Sequence, residues 1–515
     1  MFDPGGMTSE RYRLLSKWRS YFYNDRHSHK KFDWDGRNTP ESEADLFQIE
    51  CGMMAATGDS RAAPPIRYRK PATPINTGRS VVETFSDLLF DEDRAPRVVV
   101  KDDTDWQKWY RDVIETADWI PFFHGARDVG GSTGSVFITL HFSKGKPILT
   151  WVDPRHCTAV RDVDGCIESL EIEYLYQSDE AVIERDREGN PFSAKGTVMR
   201  WYKREINRQS DVLYSNPEYE QGKAPKYSVV REIVHGIGRC PVVYCKNLDS
   251  DDVNEGVPDY FGAMELFDRI DYLYSQADRG TIYNVDPTLH IATNQDVNHV
   301  NTGSMDTIRT ESGGTVALIE LQGDGIRSAI SLAEQLRVLA LNICRCSIDA
   351  PQVNDRDRVT ATEIGKSQLQ MFARANRLRK SYGNMIVECL RLTADACSKY
   401  NGRKELNRET WKIEELELEE GFVPPTSKQP RIIKLRWGRY INLSPAELKT
   451  VVEALAAGRN ALIMDLETAV EHLVEYFPYK DPEELIKVLQ AEIDKKATDM
   501  QAAAEAKKTI PKPTA

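Results

Sequence analysis

No apolar run in this 515-residue chain approaches the roughly 18 residues that a membrane-crossing helix needs. The first residues, Met1-Phe2-Asp3-Pro4, lack a basic stretch followed by an apolar one, so no secretory leader is expected. Cysteine is sparse. The nine residues are scattered and odd in number, which suits reduced thiols in a cytoplasm better than a disulfide framework. An excess of positive charge is also missing. A net charge of −12 disfavours tight wrapping of nucleic acid, a task that calls for a basic face. The length is too great for a single core, and about two to four domains are expected.

Catalytic signatures are scarce as well. Gly365-Lys366-Ser367 has the ending of a phosphate-binding loop, whose backbone amides cradle phosphates. Thr360 stands where that motif needs its first glycine, and no apolar strand precedes it, so a helix first turn is expected. Gly130-Gly131-Ser132-Thr133-Gly134 leads into a strand instead of leaving one, the reverse of the nucleotide-binding order, and reads as a helix C-cap and loop. Asp162, Asp164 and Gly165 share the start of a calcium loop, but Glu168 is too close to close it, and a hairpin turn is expected. Cys344 and Cys346 would point to different faces of a helix, and neither they nor His156 with Cys157 have a second pair at zinc spacing. His124, His156, His235 and His290 read as packing or surface side chains, and no Gly-x-Ser-x-Gly elbow occurs. The expectation is a protein without catalysis, cofactor or metal.

What the chain does contain is an ordered run from Tyr260 to Tyr400. A first helix is expected over about Asp259–Asp286, with Phe261, Met264, Phe267, Ile270, Tyr274, Ala277 and Tyr283 on one face. A second follows over Asp324–Cys346, its stripe made by Ile326, Ala329, Ile330, Ala333, Leu336, Leu339, Ala340 and Ile343, with Leu332, Val338 and Leu341 flanking. At 1.5 Å rise per residue each is about 35–40 Å long, so the two suit antiparallel pairing. Thr288–Ala292 and Thr315–Gln322 read as short strands between them. After the polar loop 347–358, a third helix is expected from near Thr360 to Tyr400.

The flanking regions complete an α+β fold. Ser9–Asn24, Ser80–Phe90 and Asp105–Gly125 read as helices. Ser135–Phe142, Ile148–Val152, Ile167–Tyr176, Thr197–Arg204 and Ser228–His235 read as strands, with hairpin turns at Asp162–Gly165 and Arg187–Asn190. Arg431–Trp437 is expected to return as a strand. Ser444-Pro445-Ala446-Glu447 and Asp481-Pro482-Glu483-Glu484 are helix starts, and Gly458 is expected to break the helical region between them. The Ala/Lys/Pro-rich end is expected to be disordered.

This order of pieces resembles the portal proteins of tailed bacteriophages over most of the chain. Gly238-Arg239-Cys240-Pro241-Val242-Val243-Tyr244-Cys245-Lys246-Asn247 is similar to the family's strand entering the stem. Asp349-Ala350-Pro351 and Thr362-Glu363-Ile364 are similar to the edges of its tunnel loop and long wing helix. The resemblance implies a portal fold with an N-terminal wing (1–258), stem helices (259–286 and 324–346), a clip (287–323), a tunnel loop (347–361), a long wing helix and return strand (362–440), a helical crown (441–500) and a tail (501–515). It implies a homo-oligomeric ring, a dodecamer, at the capsid vertex of the virion, assembled in the host cytoplasm, with double-stranded DNA in its channel. The implied partners are the terminase large subunit, a head-completion adaptor and the major capsid and scaffolding proteins, with no membrane.

Within that frame Val353, Asn354, Asp355, Arg356, Asp357 and Arg358 are expected to face the channel. In a ring, alternating Asp and Arg would become nearly neutralising belts that touch a phosphate backbone without holding it. The loop is more charged than the Gly/Asn/Ser-rich versions of the family. Arg269, Asp278, Glu334 and Arg337 are expected to form ion pairs across the hairpin or between subunits, with an intrahelical Glu334–Arg337 pair as the competitor. Two alternatives stand beside this reading: an ATP- or metal-dependent nucleic-acid enzyme, and another ring-forming tail protein.

Overall fold

The computed structural model describes residues 10–24, 75–91, 94–100, 103–185, 191–220, 223–250, 255–285, 288–292, 315–319, 324–347, 368–400, 403–407, 412–440, 445–461, 465–474 and 486–491, with 494, 495 and 498. In chain order the elements are α1 (Glu10–Tyr23), α2 (Thr77–Phe90), β1 (Arg97–Val100), α3 (Thr104–Thr116), α4 (Trp119–Thr133), β2 (Ser135–Ser143), β3 (Lys146–Val152), β4 (Cys157–Arg161), β5 (Ile167–Arg185), β6 (Pro191–Asn207), β7 (Ser210–Tyr214), β8 (Val229–Val234) and β9 (Val242–Lys246). They continue with α5 (Met264–Val285), β10 (Thr288–Ala292), β11 (Thr315–Ile319), α6 (Asp324–Ile343), α7 (Leu369–Tyr400), β12 (Arg403–Asn407), β13 (Lys412–Leu416), β14 (Ile433–Arg436), α8 (Pro445–Asn460) and α9 (Leu466–Val474). Helices and small antiparallel sheets thus make an α+β fold. Two compact units are drawn from interleaved segments: the first from Met1–Thr84, Ala126–Thr139 and Thr150–Ile348, the second from Phe85–Gly125, Leu140–Leu149 and Asp349–Ala515.

Several expected elements change shape. The single helix expected over Asp105–Gly125 is two, α3 and α4. Asp103 caps the first by accepting from Trp106 N at 3.1 Å, and Asp118, at φ 49°, turns the chain before the second. The α4 helix runs through Gly130 and Gly131 to Thr133, so the expected loop there is helical. Gly134 at φ +90° ends it, and a Cβ on that residue would lie 2.4 Å from Gly256 O. Gly458 lies inside α8 and breaks nothing. The short strands β1, β4, β7, β12 and β13 went unread, and β5 and β6 run well past their expected ends. The Asp162–Gly165 turn is present, with Gly165 N donating to Asp162 O at 3.0 Å. The Arg187–Asn190 turn lies outside the described residues.

The first unit carries a five-stranded antiparallel sheet in the order β4-β5-β6-β7-β8. Alternation sends Leu170, Ile172 and Ile206 inward, where they pack with Phe137, Cys157 and Cys240. Helix α1 is fastened to the turn before β4 by two arginines. Arg11 donates to Pro154 O at 2.7 Å and Cys157 O at 3.0 Å, and Arg19 pairs with Asp153. His156, in that turn, has its ring 6.2 Å from Tyr12 and 5.1 Å from Tyr174.

Beneath these lies an ion pair with no exposure on either side chain: Arg127 Nη2 donates to Asp259 Oδ2 at 2.6 Å. Asn247 Nδ2 donates to Asp259 Oδ1 at 3.1 Å, and Asp259 N to Gly131 O at 2.9 Å. A Cβ on Gly131 would fall 2.1 Å from Arg127 Nη1, so the glycine makes room for the guanidinium. Tyr260 Oη adds a bridge, 2.9 Å from Trp18 O and 3.1 Å from Ser132 O.

The second unit is organised on α7, which buries Met371, Ala375, Leu378, Tyr382, Met385, Ile386 and Cys389 at steps of three and four. Its β1–β14 pair runs antiparallel from Arg97↔Arg436 to Val100↔Ile433. Trp106, Trp109 and Tyr110 form one edge-to-face cluster, and Phe90 packs edge-on to Tyr382.

Two outcomes follow. Replacing Arg127 with Ala strands the Asp259 carboxylate and should cost about 3–5 kcal/mol, whereas the pair Arg127→Met with Asp259→Leu should cost less; urea unfolding compares them. Burial holds the His156 imidazole below its usual range, with Arg155 and Arg19 acting the same way and Asp153 opposing. The folded state therefore binds fewer protons than the unfolded one, so stability is full above the ordinary pKa of about 6.5 and falls as pH drops below it. The urea midpoint should fall less between pH 7 and 5 in His156→Phe than in the wild type.

Candidate assembly site: the helical hairpin

Helix α5 starts one short 3₁₀ turn, Phe261–Ala263, after the buried Asp259 and Tyr260. It packs along α6 over its length. A Cβ on Gly262 would lie 3.1 Å from Ile343 Cγ2, one on Gly280 would lie 2.9 Å from Ile326 Cγ1, and midway Tyr274 Oη donates to Glu334. These three pairs lie symmetrically about the same stretch of sequence, so the helices are antiparallel. The β10–β11 pairing, Thr288↔Ile319 to Ala292↔Thr315, shares that symmetry and carries the helical register into the strands.

The packed side of α6 is built from Ile326, Ala329, Ala333, Leu336 and Ala340, with Ala333 and Ala340 fully covered. Small residues on α6 and Gly280 on α5 let the backbones approach. Leu341 is buried as well, whereas Ile330, Leu332, Val338 (54% exposed) and Leu339 (49%) are exposed, and Ile343 is partly exposed beside Gly262. Helix α5 differs, because α1 and its neighbours cover its second side. Tyr21 Oη donates to Asp268 Oδ2 at 2.8 Å and Ile75 N to Asp271 Oδ1 at 3.0 Å. Phe261, expected within the packed stripe, is exposed beside Trp18. A cleft of about 710 Å³ opens there, with Leu14, Leu15, Trp18 and Phe261 against a rim that includes Glu10 and Glu255.

The four charged residues expected to pair on the hairpin have these positions. Arg337 Nη1 lies 3.7 Å from Glu334 Oε2 within α6. Glu334 also accepts from Tyr274 across the hairpin. Burial and that carboxylate push the Tyr274 hydroxyl up to about 12. The Arg269 guanidinium stands over the Tyr272 ring at 5.2 Å. Asp278 is exposed near the far end of α5. Val353, Asn354, Asp355, Arg356, Asp357 and Arg358 lie outside the described residues. Cys344 and Cys346 are buried just past the end of α6, with Arg345 between them at φ 50°. Among the described residues no group of three His, Cys, Asp or Glu side chains could hold a metal ion, and no helix is long and apolar enough to cross a membrane. Gly280 was not read as functional. An isolated glycine inside a strongly periodic helix is the signal that marks a close approach.

No family model and no curated protein matches the chain. Among solved structures, one similar chain comes from the virion of native gene transfer agent particle, at 11% identity and a TM-score of 0.29. The match covers 74% of this chain and 84% of the other. Similarity at that level leaves the reading to the chain's own geometry.

Filling the helix crossing tests the hairpin. Gly280→Val should force Ile326 aside and cost about 1–3 kcal/mol, read by urea unfolding, while Gly325→Ala, with open space around its Cβ, should not destabilise.

Proposed function

We propose that this chain is a portal-type subunit, a structural protein that assembles with copies of itself into a ring for the passage of double-stranded DNA at a capsid vertex. The observation that carries this reading is the α5–α6 hairpin with its two unlike sides. One side is fixed to the first unit through α1 and the buried Arg127–Asp259 pair. Among the described residues, the other leaves Ile330, Leu332, Val338 and Leu339 exposed on the two flanks of α6, apolar surface that is unfavourable in water. A second copy's hairpin on either flank would cover these aliphatics, and head-to-tail repetition of such a contact closes into a ring.

On this reading the chain performs no catalysis and needs no cofactor. The β10–β11 end would meet the terminase large subunit during packaging and a head-completion adaptor afterwards, and capsid and scaffolding proteins would surround the rest. The residues 353–358 would lie at the opposite end of the hairpin, towards the bore. The mature location would be the virion.

Negative-stain images of the full chain should show rings. Val338→Glu combined with Leu339→Glu should leave a folded protein that sediments as monomer. Rings that persist in the double variant, or a wild type that stays monomeric at every concentration, would remove the basis of the proposal.

A further inference from the structure

The chain is acidic overall, but its charges are not evenly spread. From Leu369 to Val387, the first half of α7 carries Arg374, Arg377, Arg379 and Lys380 and no acid. The segment 428–440 carries Lys428, Arg431, Lys434, Arg436 and Arg439, again without an acid. The two stretches lie together in the second unit. A Cβ on Gly383 would touch Trp437 at 3.5 Å and Leu435 at 3.7 Å, and Tyr440 stacks on Phe372 with ring centres 4.7 Å apart. Tyr440 Oη donates to Asn376 Oδ1 at 2.7 Å.

Arg379 sits at the centre of this arrangement. Its guanidinium lies 3.8 Å over the Tyr440 ring and 5.2 Å from that of Trp437. Its hydrogen bond goes to a neutral acceptor, Leu88 O, at 3.3 Å. No carboxylate of the described residues pairs with it. Burial pulls its pKa down to about 10, Arg94 adds to the fall, and Tyr440 opposes it. A half-buried cation that lacks an anion is costly unless one arrives from outside.

The outer side of α7 beside it is uniform. Asn376, Arg377, Lys380 and Asn384 are exposed at helical spacing. Turns of about 5.4 Å therefore present amide and cationic donors in a row, next to aromatic rings.

We infer that this face of the second unit, centred on Arg377, Arg379 and Lys380 with Tyr440, binds the phosphate backbone of a nucleic acid. A row of donors interleaved with aromatics suits repeated phosphates, and a guanidinium held on a ring is oriented for fork-like contact with phosphate oxygens. The inference rests on the proposed function only for the choice of duplex DNA as the probe. It assigns contact to residues other than 353–358.

The test is fluorescence anisotropy of a labelled 30-base-pair duplex with the full chain across a salt series. Arg377→Glu with Lys380→Glu should weaken binding at least tenfold and make the log–log salt slope shallower by about 2, since each phosphate contact contributes roughly 0.9. The control Lys108→Glu with Lys144→Glu should bind as the wild type does. Equal affinity in the Arg377/Lys380 variant overturns the inference. So does polyglutamate that displaces the duplex at equal charge concentration, because the face would then fit an acidic polypeptide. Imaging the same samples separates the two ideas: absence of rings with the charge effect intact counts against assembly alone.

Discussion

The rest of the first unit depends on one dry electrostatic contact, that between Arg127 and Asp259. Two full charges out of water are tolerable only when each is closely partnered, and here the carboxylate accepts from the guanidinium on one oxygen and from the Asn247 amide on the other. The position of the pair matters as much as its energy. Arg127 stands on α4 just before the chain enters the sheets, and Asp259 stands just before α5 leaves them. The contact therefore sets where the helical hairpin is rooted, and Gly131 is small because the guanidinium needs that space.

From that root the hairpin gains an asymmetry that neither helix would have alone. Helix α5 is held on two sides, by α6 and by the α1 region, and reads as an interior element. Among the described residues, helix α6 packs mainly on α5. Its packed side mixes small alanines with Ile326 and Leu336, while Ile330, Leu332, Val338 and Leu339 are exposed, so much of its aliphatic bulk lies outside the core. A helix arranged this way keeps its hydrophobic capacity for something beyond its own fold.

Much of this was legible in the residues. Apolar spacing identified the two hairpin helices and the strands between them, because long periodic segments override local noise. The ends and breaks were harder. Asp118 in a left-handed turn split one helix into two, and nothing in the Ala117-Asp118 pair distinguishes a break from an exposed helical turn. Gly130 and Gly131 read as the end of a helix but lie inside it, and at Gly131 close packing against Arg127, Asp259 and Val82 leaves no room for a larger residue. The unread strands are only four or five residues each, and β1 gains its pairing from the distant β14, which local pattern cannot supply. The outward aliphatics of α6 were assigned as stripe and flank without a way to tell which would be covered. That depended on whether α6 had one neighbour or two, a property of the tertiary arrangement.

Interleaving of the two units bears on how the chain is made. Arg127 and its carboxylate are 132 residues apart, and the first unit draws on segments up to Ile348. On a ribosome that unit cannot close as an early, independent domain. Its five-stranded sheet can pair between neighbours as it emerges, but α1 and α4 must wait, with apolar surface uncovered, until Asp259, Tyr260 and α5 have been synthesised. Slow completion of this kind makes nascent chains susceptible to premature association, and it ties the yield of native protein to chaperone supply and translation rate.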